Sequence, residues 1–211
     1  MSFARLTQTE LRVLGTLCEK QKTVPDTYPL TLNGLVAGCN QKTSRNPVME
    51  LSEADVSVAV DGLKGKDLLV EVSGGRALRY EHRLEKVLGV PSQSAAVLTV
   101  LMLRGPQTAG ELRLNCERLH AFADISSVEA FLEELTSHES GALVRELRRA
   151  PGARENRWFH LLGEDEGSEC SALVSRQEQP LGEIALLKAR MVALEEEMAA
   201  LRALVQATKR N

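Results

Sequence analysis

Apolar residues along this chain follow two periodicities, and the switches between them divide it into elements. Behind a Thr7-x-x-Glu10 capping box, Leu11, Leu14 and Cys18 fall on one face, predicting a helix over residues 7–20. "TLNGLVAGC" then places Leu32, Leu35, Val36 and Cys39 at i, i+3, i+4 and i+7, a second helix. A Ser52-x-x-Asp55 box opens a third, with Val56, Ala59, Val60 and Leu63 at the same spacing. Here the period drops to two. "LLVEV" and "ALRYEH" flank "SGG", two strands and a tight turn.

The same order of patterns then recurs. "SAAVLTVLML" reads as a first helix from Ser94, "TAGELRLNCERL" as a second from Thr108, and Ser126-x-x-Glu129 as the cap of a third carrying Val128, Phe131, Leu132 and Leu135. "GALVREL" and "NRWFHLL" are strand-like around "PGARE", with Trp158 expected to pack beneath that hairpin. Three helices and a hairpin, twice, predict an α+β, mostly helical fold of tandem winged helix-turn-helix domains. Pro91 marks the boundary, giving domains at 1–91 and 92–162.

Comparison of the repeats isolates one difference. The first helix start to the third helix start spans 45 residues in the first repeat and 32 in the second, and "NQKTSRNPVMEL" stands where the second has "HAFAD". On this reading the polar stretch is an addition that the fold does not require, and hence a candidate contact surface.

Residues 163–180 open acidic and keep no period, as a linker would. Beyond it, Ile184, Leu187, Met191, Leu194, Met198, Leu201 and Val205 alternate three and four apart, a coiled-coil-like seam over 181–211. With Ile184 at a, the g–e′ pairs of a parallel dimer are Glu183–Lys188, Arg190–Glu195 and Glu197–Arg202, all opposite in sign. A homodimer is expected. The alternative is one amphipathic helix folding back on its own domains, which its partly apolar outer face (Leu186, Val192) would suit.

Composition narrows the class. Aromatic residues are only 3%, so the core must be built from Leu, Val and Ala. No run approaches a membrane span and the start has no apolar leader, which predicts a cytoplasmic protein without membrane contact. Cys18, Cys39, Cys116 and Cys170 lack paired spacing, so reduced thiols are expected and no metal or cofactor. The four histidines are dispersed, and Gly74-Gly75 is a turn signal without a phosphate-loop frame. Catalysis is not expected.

Net charge is −3, and no region is strongly basic: residues 1–91 sum to +1, 92–162 to −1 and 163–211 to −3. Nucleic-acid contact would therefore depend on local clusters. The third helices oppose it, since Glu53 and Asp55 open one while Glu129, Glu133 and Glu134 line the other. Asn40, Gln41, Lys42, Ser44 and Arg45 in the polar stretch favour it, as do Arg145, Arg148, Arg149, Arg154 and Arg157 on the second wing. Arginine there suits bidentate pairing with phosphate or carboxylate. Arg76 and Arg79 form a lesser pair on the first wing.

The segment "CEKQKTVPDTYPLTLNGLVAGCNQKTSRNPVMELSEADV" (residues 18–56) resembles the signature of the YceH-like family of uncharacterised bacterial proteins. Pro25, Tyr28, Pro29, Asn40, Gln41, Lys42, Arg45 and Pro47 fit its pattern, and the resemblance extends through "RELRRAPGARENRWFHLL", about residues 5–162. It implies a tandem winged-helix fold and no enzyme activity. The expectation is a module that binds double-stranded DNA, with regulation as one use, acting through the polar loop and the arginine-rich wing. The rival is a protein-interaction scaffold with an acidic protein partner.

Overall fold

The computed structural model describes residues 4–73, 77–149 and 153–164. In chain order the elements are α1 (Gln8–Thr23), a 3-10 turn (Pro25–Thr27), β1 (Leu30–Thr31), α2 (Leu32–Cys39), α3 (Glu53–Gly65), β2 (Leu69–Ser73) and β3 (Leu78–His82). A short α4 (Leu84–Leu88) leads into α5 (Ser92–Arg104), α6 (Ala109–Cys116), α7 (Ile125–Thr136), β4 (Val144–Leu147) and β5 (Arg157–His160). Helices dominate, and the sheets are small and antiparallel: β1–β3–β2 in one, β4–β5 in the other.

Two helices form the axis. Every residue of α1 from Glu10 to Cys18 is buried, and so is every residue of α5 from Ser94 to Leu103. Helices enclosed on all sides belong at the centre of a core. They lie against each other closely: a Cβ on Gly15 would stand 3.0 Å from Leu103 Cδ2, so any larger residue there requires Leu103 to shift. The two repeats therefore share one continuous core, running from Leu14 and Leu63 to Leu101, Leu112 and Leu132. Chain ends of this unit also meet, since Leu6 N donates to Leu162 O at 2.9 Å and Glu164 N to Leu6 O at 3.0 Å.

Helix starts follow the sequence signals at Thr7 and Ser52, both reciprocal capping boxes, and at Thr108, whose partner is Glu111. One signal misleads. The cap of α7 is Asp124, which accepts from Ser127 N at 2.7 Å, and not Ser126. An Asp accepts as well as a Ser and needs no glutamate three residues on, so it takes the earlier position. The 3-10 turn, β1 and α4 have no period long enough to announce them. β1 adds two residues to the hairpin, pairing Leu30 with Tyr80 and Thr31 with Arg79.

Cys18, Cys39 and Cys116 are free and buried. Among the described residues no helix is long and apolar enough to cross a membrane, and no group of three His, Cys, Asp or Glu could hold a metal. The predicted linker from 165 onward and the seam residues Ile184, Leu187, Met191, Leu194, Met198, Leu201 and Val205 lie outside the described residues.

Candidate nucleic-acid interface

The connection from α2 to α3, residues 40–52, is the first candidate, and it is not an addition to the fold. Asn40 closes it like a clasp: its Nδ2 donates to Leu51 O at 2.8 Å, and Leu51 N donates back to Oδ1 at 2.8 Å. Arg45 turns inward. Its guanidinium, fully buried, donates to both Glu19 carboxylate oxygens, at 3.1 and 2.6 Å, and to Gly38 O from Nε and Nη2. Asn46 N donates to Leu103 O at 2.8 Å, and Arg104 reaches Ser44 Oγ at 2.8 Å. From α1, Arg12 donates to Cys39 O and Pro47 O. The loop thus knits α1, α2 and α5, and the sequence expectation that the fold could do without it is corrected.

Burial and charge explain this arrangement. Arg12, Arg45 and Arg104 gather around one carboxylate, Glu19. Desolvation, then the charge of Arg45, lowers the Arg12 pKa to about 10, and burial likewise lowers that of Arg104. Burial would raise the Glu19 pKa, but hydrogen bonds and charge from Arg45, assisted by Lys20, hold it below the usual carboxylate value. Gln41 is also occupied, accepting from Lys20 Nζ at 2.7 Å and Arg45 Nη2 at 3.2 Å. Of the loop's candidates, only Lys42 is an exposed cation.

On the first hairpin, Arg76 lies outside the described residues. Arg79 is on β3, opposite Val72, with Nη1 donating to Pro29 O at 2.6 Å and Thr27 O at 3.2 Å. On the second hairpin, Arg157 is half-buried where β5 begins, opposite Leu147 at the loop end of the ladder, and pairs with Glu111 at 3.0 Å while donating to Pro106 O. Arg145, Arg148, Arg149 and Arg154 are exposed. Trp158 is half-buried against the core, and its backbone exchanges hydrogen bonds with Gln107 at 2.7 and 3.1 Å.

Loop and second hairpin share an anchor. Ser44 and Asn46 bind at Arg104 and Leu103, while Arg157 and Trp158 bind at Pro106 and Gln107. One short segment at the end of α5 thereby holds both basic features. The third helices add little positive charge: Lys64 of α3 is paired with Asp61 and Glu71, the exposed positions of α3 include Glu53, Ala54, Ser57, Val58 and Asp61, and those of α7 Glu129, Ala130, Glu133 and Glu134. Asp55 is occupied as the acceptor of Ser52 N at 2.8 Å.

A family model described as "Protein of unknown function, DUF480" matches residues 6–153. The chain belongs to the DUF480 family. Its relatives include a UPF0502 protein of Dechloromonas aromatica, 62% identical over 204 residues that cover 97% of this chain and 96% of the relative. A UPF0502 protein of Burkholderia pseudomallei is 59% identical, covering 97% and 88%, and one of Cupriavidus necator is 56% identical, covering 95% and 84%. The YceH-like resemblance seen in residues 18–56 is thus sound, and the whole clasp falls inside the matched region.

Sequence reasoning passed over Arg12, Glu19 and Arg104 in this DUF480 chain. A signal existed for two of them: Arg12, Thr16 and Glu19 stand at i, i+4 and i+7, a polar stripe beside the apolar face of Leu11, Leu14 and Cys18. Such a stripe on a buried helix requires partners, and residues 40–46 are a polar stretch able to supply them.

Proposed function

We propose that this DUF480 chain is a non-enzymatic, double-stranded DNA-binding protein built on tandem winged helices. It contacts phosphates through Lys42 and the exposed arginines of the second hairpin, Arg148, Arg149 and Arg154. The observation that carries this reading is the common anchor at residues 103–107, which draws the loop and the start of β5 to the same end of α5. Arg148, Arg149 and Arg154 have no carboxylate partner among the described residues, so their charge is available to an anion. Arg45 and Asn40 serve indirectly, by holding Lys42 outward on a fixed loop. With acids on both third helices, base reading is slight and binding is phosphate-led, falling steeply with salt.

Fluorescence anisotropy of a labelled duplex at low salt tests this. Saturable binding is expected, and replacing Arg148, Arg149 and Arg154 together by Ala should weaken it about ten-fold or more and flatten its salt dependence. No binding at low salt, or an unaltered salt slope in the triple variant, would overturn it.

A second reading has its own support. Val58, 73% exposed on α3, and Leu114, 66% exposed on α6, are large apolar side chains presented on helix surfaces. An interaction scaffold would use such faces for a protein partner. Val58→Lys separates the two: it disrupts a protein contact on α3 and leaves phosphate binding intact or improved.

A further inference from the structure

A groove of about 600 Å³ opens between the last turn of α1, the 3-10 turn, β1 and α2, within the range of small-molecule sites. Its walls are largely apolar or small: Val24, Leu30, Gly34 and Ala37. Two cations line it, Lys20 and Arg79, against one acid, Asp26. Nothing in the DNA-binding reading uses this place, and it stands apart from the second hairpin.

Arg79 is what makes the groove specific. Both carbonyls that hold it, Pro29 O and Thr27 O, accept from Nη1 alone. Nη1 has two hydrogens, so it is saturated, and the guanidinium plane is fixed by a turn on one side and its strand on the other. Nε and Nη2 remain. That edge presents two parallel N–H groups, the geometry that a planar carboxylate accepts with both oxygens. No carboxylate among the described residues pairs with Arg79, although Asp26 lines the same groove. Lys20 is less available, because Gln41 accepts from it at 2.7 Å and Glu19 lies 3.5 Å away. The anion therefore belongs at Arg79, and its body along the small face of α2.

We infer that this groove binds a small organic carboxylate with a short apolar body, its head on the Nε–Nη2 edge of Arg79 and its chain over Gly34 and Ala37. Such a ligand touches α1, the 3-10 turn and α2 together. Since α2 ends at Asn40, where the clasp begins, occupancy at the groove bears on the loop that carries Lys42.

The test is a two-dimensional amide NMR titration of the full chain with sodium octanoate, 1-octanol and sodium phosphate in parallel. Octanoate should shift the Gly34 and Ala37 amides saturably. Arg79→Gln should weaken octanoate about ten-fold or more while leaving octanol unaffected. Because Arg79 also braces the 3-10 turn, Ala37→Leu provides a second variant: Ala37 is exposed, so the larger side chain fills the groove without entering the core. Ala37→Leu should abolish the octanoate shifts with the rest of the spectrum unchanged. The inference is overturned if octanoate gives no saturable shift at these amides, or if either variant binds it as the native chain does. It is also overturned if phosphate binds as tightly as octanoate, since the apolar walls would then contribute nothing.

Discussion

The junction between second and third helix is made twice in this molecule, by opposite chemistry. Between α2 and α3, residues 40–52 are pinned by a buried arginine, a carboxylate and a side-chain amide. Between α6 and α7, residues 117–124 are pinned by Phe122, 6% exposed, whose ring meets His120 at 4.7 Å and Phe131 at 5.8 Å. An aromatic plug needs only shape and burial. A charged clasp needs every partner, because an ion left alone in a poorly solvated place costs more than the pair ever contributed. The polar junction is the longer one because it must supply those partners from its own backbone and from two helices.

That contrast is most severely tested at Arg45. Arg45→Met strands Glu19 without its bidentate partner and empties three acceptors, so a loss of about 4 kcal/mol in urea unfolding is expected. Replacing Arg45 and Glu19 together by Met should recover most of it, since the uncompensated charge disappears. A double variant as damaged as the single one would show that the clasp acts through its backbone contacts instead. At the other junction, Phe122→Ala should cost about 3 kcal/mol, and no second substitution of a polar neighbour should restore it.

How far the sequence foretells these junctions differs in the same way. Capping boxes at Thr7 and Ser52, the period changes and the repeat were all legible, because each is a local rule satisfied within a few residues. The cap of α7 was misplaced at Ser126 because two acceptors, Asp124 and Ser126, stand two residues apart and either could cap a helix. The clasp was illegible for a different reason. A stretch such as "NQKTSRN" has the composition of a solvated loop, and only the meeting of Arg45 with Glu19 on another helix turns it into an interior. Composition records which groups can bond and not where their partners lie. For the same reason Arg79 reads as a hairpin cation, although β1, too short for any periodic signal, brings it to α2.

Acid separates the regions further. Burial lowers the His160 pKa to about 4 from 6.5, at the end of β5 with its Nδ1 unpartnered. The unfolded chain takes up this proton below pH 6.5 and the folded one does not, so stability is complete above that value and falls as pH drops toward 4. Glu19 works lower: held below its usual pKa of 4.5, it contributes above that value, and the contribution is lost only as pH falls beneath it. His82, lowered to about 4 by burial and then by the charge of Lys22, adds to the upper window from the first repeat. Comparing urea stability at pH 7 and pH 5, His160→Phe should show a drop about 2 kcal/mol smaller than the native chain. An equal drop would mean that the folded state accommodates the proton after all.

The smallest expected effect on stability carries the most information about use. Lys42 stands exposed on a loop whose Asn40, Gln41, Ser44 and Arg45 side chains are turned to internal partners, and no carboxylate pairs with it among the described residues. Lys42→Glu reverses its charge without touching the clasp, so unfolding should move by no more than about 0.5 kcal/mol. If the rigid loop exists to present that cation, duplex affinity should nevertheless fall several-fold at low salt, and the loss should shrink as salt screens the reversed charge. If the clasp serves only to close the core, affinity and stability will both stay where they were. A polar junction costlier to build than the aromatic one would then be explained by packing alone, and the two repeats would differ in chemistry without differing in purpose.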